Sequence, residues 1–174
     1  MRLLDRRMPA AVCLILALCA PLQAQETEAR AFRVLSFKQG EMHQVAGQWS
    51  IRREAQTLTY RVNGTCVFNG EAMPCMWYGY ILEYDTAGRD VELSCSGHQD
   101  APANFGNPGG LIARNVRAFS YVVPLKGNER LFINPQYTAP AGEDRIVRAV
   151  TRCSVDGVQV LQFKQTLLIP PRKG

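Results

Sequence analysis

"RIVRAVTRCSVDGVQVLQFKQTLLI", residues 145–169, sets two runs of alternating apolar residues on either side of Asp156-Gly157. Successive side chains of a strand point to opposite faces, so each run reads as a half-buried strand, and Asp-Gly between them marks a hairpin. A two-residue turn with unbroken pairing would set Cys153 opposite Val160. It would also put Leu161, Phe163 and Leu167 on one face with Arg148 and Arg152, a mixture that no core accepts. One extra residue, a bulge with Gly157 in the left-handed conformation, instead aligns Val147, Ala149 and Cys153 with Leu161, Phe163 and Leu167. The expectation is a bulged hairpin with a core face and an outer face. The outer face carries Arg148, Arg152 and Lys164 among Val150, Val158 and Val160.

The same period extends through the chain from about residue 31. Leu58, Tyr60 and Val62 alternate with Thr57, Thr59 and Arg61, and Val91, Leu93 and Cys95 alternate with Asp90, Glu92 and Ser94. Further strands are expected over 48–53, 76–84, 115–123 and 131–133, and no window of a dozen residues has helical spacing. About eight short strands separated by Gly, Asn, Asp and Pro predict an all-β fold, an antiparallel β-sandwich or a partly open barrel. Residues 96–114, "SGHQDAPANFGNPGGLIAR", hold four glycines and two prolines and read as a long surface loop. Residues 123–145 are also turn-rich, and 170–174 read as a frayed tail.

Arg2, Arg6 and Arg7 precede an apolar run from Pro9 to Leu22, the pattern of an export signal, with cleavage expected after Ala24. Residues 25–174 would then form one β-sandwich domain in the periplasm or outside the cell. Removal of 1–24 leaves 17 basic and 14 acidic residues, a balance of +3. That is too mild for nucleic acid, and no Lys/Arg block suited to a phosphate backbone is present. No later segment has the apolar length of a membrane-spanning helix.

Four cysteines lie beyond Ala24: Cys66, Cys75, Cys95 and Cys153. An even number in an exported chain points to disulfides. Cys95 and Cys153 each fall on the apolar side of an expected strand, whereas Cys66 and Cys75 flank the Asn69-Gly70 turn in "TCVFNGEAMPCMW", residues 65–77. The economical pairing is therefore Cys95 with Cys153, bridging the two layers, and Cys66 with Cys75, stapling a local loop.

No elbow, phosphate cradle or metal chelate stands out, and no cofactor is implied. The reading is an exported, non-enzymatic binding domain, an accessory or inhibitor-type protein whose partner is a protein or glycan of the envelope or extracellular space. Its expected contacts are the face of Arg148, Arg152 and Lys164, together with Trp77 as an exposed ring. The glycine-rich loop adds His98, Asn104, Phe105 and Asn107. One alternative is a periplasmic Cu(I)-binding protein using the soft ligands Met42, His43, Met73 and Met76. Another is a small secreted hydrolase built on His98, with Ser94, Ser96 and Asp100 close in sequence. The acidic pairs Glu83/Asp85 and Glu143/Asp144 read as solvent-facing charges.

Overall fold

The computed structural model describes residues 32–68, 70–108, 110–138 and 145–170. The expected export signal and residues 171–174 of the tail lie outside them, as do Asn69, Glu143 and Asp144. Ten strands follow one another: β1 (Arg33–Val45), β2 (Gln48–Glu54), β3 (Thr57–Thr59), β4 (Gly64–Phe68), β5 (Glu71–Asp85), β6 (Val91–Asn107), β7 (Gly110–Leu125), β8 (Leu131–Thr138), β9 (Arg145–Val155) and β10 (Val158–Ile169).

They form an open sandwich. One layer runs β2-β1-β5-β8, with β4 paired to the start of β5, and the other runs β7-β6-β9-β10-β3. The long β6 bends between layers, and its far end meets β8 at Gly106–Tyr137. All pairings are antiparallel except β3 with β10. The expected strand from Leu58 to Val62 shortens to β3, and Val62 is exposed. The strands β1 and β4 were not expected, because Gly40 and the Asn-Gly turn break their apolar pattern.

The β9–β10 hairpin turns on Asp156 and Gly157, both left-handed at φ 51° and 79°. The bulge lies beyond the turn, at Val160: Gln159 opposes Ser154, and Leu161 opposes Cys153. Val160 packs against the core beside Leu161, so it leaves the outer face to which the sequence assigned it. The core alignment of the remaining residues is as expected.

Apart from residue 109, which lies outside the described residues, the stretch 96–114 is not a loop. It is the far half of β6 and the start of β7, a long hairpin interrupted by bulges between His98 and Gly106. Gly97 permits a close approach here: the Phe119 ring of the paired strand occupies the space a Cβ would take.

Between the layers, Tyr80, Leu82 and Tyr84 of β5 pack against Leu93, Cys95, Val123, Leu125, Cys153 and Val155. Phe163 of β10 lies 4.9 Å from Phe37 and 5.2 Å from Tyr80, ring centre to ring centre, tying the two layers together. At the other end Leu58, Met76, Tyr78, Val147, Leu167 and Ile169 form a second cluster. A third lies on the opposite face of β5, where Trp77 packs on Trp49, Tyr137, Met42, Cys66 and Cys75.

Cys95 and Cys153 are joined, both buried, with Cα atoms 4.0 Å apart. They are direct partners on adjacent strands, so the cross-link lies within one layer and does not bridge the two. Cys66 and Cys75 stand as two buried thiols whose sulfurs interact, and the cross-link expected between them is not formed in this structure. Burial raises both thiols above their ordinary value.

Candidate functional site

Strand registry decides which polar residues share the outer face of the five-stranded layer. One row across β7, β6, β9 and β10 is Ala118, His98, Val150 and Lys164, and the next is Ser120, Ser96, Arg152 and Gln162. A third is Val122, Ser94, Ser154 and Gln159. His98, placed in a loop by the sequence, thus stands between Arg148 and Arg152 on the face assigned to those arginines, and all three are exposed with Lys164.

Two of the cations are held. Asp100 accepts from the Arg148 amide at 2.7 Å and from its guanidinium at 2.9 Å. The amide bond holds the Asp100 carboxyl below its ordinary value; burial opposes this and the guanidinium adds to it. Arg152 Nε donates to Gln162 Oε1 at 2.9 Å, which fixes the side chain among four serines. Ser94, Ser96, Ser120, Ser154 and Arg152 line an open groove of about 490 Å³. Chemically the face offers donors from guanidinium, ammonium and hydroxyl groups to an acidic or hydroxyl-rich surface.

Trp77 is not part of this face. It is 7% exposed, lies in the other layer and donates from Nε1 to the Thr65 carbonyl at 3.1 Å. Asn107 ends β6 opposite Gly110, some distance along the strand from His98. Asn104 and Phe105 are strand residues of β6 whose side chains lie outside the description.

The four soft ligands do not converge. Met42 is fully buried with its sulfur over Gly79, and Met73 packs near Cys66 and Cys75. Met76 points into the second cluster between the layers, while His43 is half-buried at the next position of β1 from Met42. The histidine of the hydrolase reading is exposed, and Asp100 is engaged by Arg148. The one fully buried carboxylate among the described residues, Glu41, belongs to β1 in the opposite layer.

A second concavity was not visible in the sequence. The layers part between β7 and β8, leaving a cleft of about 490 Å³. Phe119, Tyr121 and Val123 of β7 and Phe132, Asn134 and Gln136 of β8 line it. Farther in is a cavity of about 40 Å³ among Tyr78, Gln99, Thr151 and Gln165, room for ordered water beside polar groups. The signal was the uncharged alternation of Phe119, Tyr121 and Val123; only the fold shows that no strand among the described residues pairs with β7 on that side.

No protein-family model matches this sequence, and no curated protein matches it. Among solved structures it is similar to one described as the N-terminal domain of PorA, with 13% identity and a TM-score of 0.40. The match covers 77% of this chain and 97% of that one. A likeness this distant carries no function from one protein to the other, so the chain is placed by its all-β, disulfide-linked sandwich alone.

Proposed function

We propose that this chain is an exported, non-enzymatic binding domain, an accessory or inhibitor-type protein of the periplasm or extracellular space. It engages an acidic protein or glycan through the outer face of its five-stranded layer. The observation that supports this reading is the row registry, which sets His98, Arg152 and Lys164 of three neighbouring strands on one face, with Arg152 lining a serine-rich groove there. The Cys95–Cys153 cross-link is in keeping with an oxidising compartment.

The test is capture of partners from envelope and culture-supernatant fractions by the wild-type protein and by Arg152→Glu/Lys164→Glu. Both side chains are exposed, so the fold should be unaffected while capture falls about tenfold, because reversed charge repels an acidic partner. Equal capture by both proteins, or capture indifferent to salt, would remove this face from consideration.

A further inference from the structure

The cleft between β7 and β8 has walls of two different kinds. From β8 only alternate residues border it, Phe132, Asn134 and Gln136, which share one face of that strand. From β7 seven consecutive residues do, Ala118 to Pro124. Side chains of consecutive strand residues point to opposite faces. What all seven present in common is therefore the edge of the strand: its backbone N–H and C=O groups.

That edge is open. Among the described residues β6 is the only strand paired to β7, and apart from Gly106–Tyr137 at its far end β8 is paired to β5 alone. One layer thus ends at β8 and the other at β7, and the cleft lies between these two strands. The rings in the gap are left half-covered: Phe119, Tyr121 and Phe132 are each only partly buried.

We infer that the cleft receives one extended segment of a partner protein, which pairs with β7 as an added strand and lies over Phe132, Asn134 and Gln136. Backbone hydrogen bonds to β7 supply the pairing, and alternate side chains of the guest fill the space between the layers. Charge decides the occupant. No residue from Ala118 to Leu125 is charged, and no charged side chain lines the cleft, so a charged guest residue would lose its water with no partner to replace it. This chain's own residues 25–31, "QETEARA", carry three charges and do not suit it, nor do Arg172 and Lys173. The guest is an uncharged stretch with apolar residues at every second position and no proline where β7 requires an N–H.

The cleft shares Ser120, Tyr121 and Val122 with the outer face, so it is tested from its β8 wall. A phage-displayed library of random peptides is panned on the purified protein, and backbone amide exchange is followed with the selected peptides. Enriched sequences should be uncharged and alternating, and they should protect amides within residues 118–124. Affinity should fall about tenfold or more in Gln136→Lys, which puts a charge on the β8 wall of the uncharged cleft and leaves the outer face untouched. Val67→Lys, on exposed β4, is the control and should bind as wild type. Failure to enrich any peptide, enrichment of charged or non-alternating sequences, or protection elsewhere would overturn the inference. A concentration-dependent dimer with residues 118–124 protected would overturn it in favour of a second copy. Arg152→Glu/Lys164→Glu should not alter peptide binding, which keeps the two surfaces distinguishable.

Discussion

Glu41 is 1% exposed, and its carboxylate accepts from Arg61 and Asn63, with Arg53 at 3.5 Å. Burial pushes the carboxyl up, but the bonds from Arg61, Asn63 and Arg53 outweigh it and hold the group below its ordinary value of 4.5. Asn63 also donates to the carbonyls of Met42 and Trp77, so these bonds fasten the crossover of residues 55–63 onto β1 and β5. Because the folded carboxyl titrates lower than the unfolded one, its stabilising contribution is present at neutral pH. It declines as pH falls below 4.5 and through the folded value. Glu41→Gln should cost about 1–3 kcal/mol at pH 7, read from denaturant midpoints, since the two arginines lose a charged acceptor. The wild-type and mutant curves should approach each other on acidification. Nothing in the sequence around Glu41 marks it as buried; its position is set by residues from three separate segments.

At the scale of the element, the β9–β10 hairpin was legible because two constraints agreed: the turn chemistry of Asp-Gly and the need to keep arginines off the core face. The bulge followed from those faces, although its position at Val160 depended on local packing that alternation does not encode. The β6–β7 hairpin was illegible for the opposite reason, since Gly97, Pro102 and Gly106 are turn formers that here lie within strand β6. The cross-link between β6 and β9 joins residues 58 positions apart. By the chain-entropy model, Cys95→Ala/Cys153→Ala should lower unfolding free energy by about 4 kcal/mol. Across β4 and β5, the Cys66 and Cys75 thiols are neighbours. Exposure to oxidised glutathione during refolding should close them, removing two hydrogens by mass and adding about 3 kcal/mol of stability. Two alkylatable thiols persisting in that material would refute the staple.

For the whole molecule, the layers adhere through the side chains of the two clusters between them, because among the described residues their strands pair directly at Gly106–Tyr137 alone. Phe163 touches both Phe37 and Tyr80, and Tyr80 Oη meets Tyr121 Oη at 3.2 Å across the gap. Phe163→Ala should therefore destabilise by about 2–4 kcal/mol, measured by thermal or denaturant unfolding. A loss under 1 kcal/mol would mean that Phe163 adds little to the packing between the layers. The outer face of the five-stranded layer and the cleft at its β7 edge both arise at this scale, from which strands become neighbours and which are left without one.

The sequence by itself determined the all-β class, the alternation that sends Tyr80, Leu82 and Leu93 inward, and the pairing of Cys95 with Cys153. These depend on a period of two along single strands. Tertiary structure alone decided that this cross-link lies within a layer, that Trp77 is covered by β4 and Trp49, that His98 joins the arginines, and that β7 has β6 as its one partner strand among the described residues. Each of those facts depends on which distant segments become neighbours, and hydrophobic alternation fixes a residue's face without naming the strand beside it.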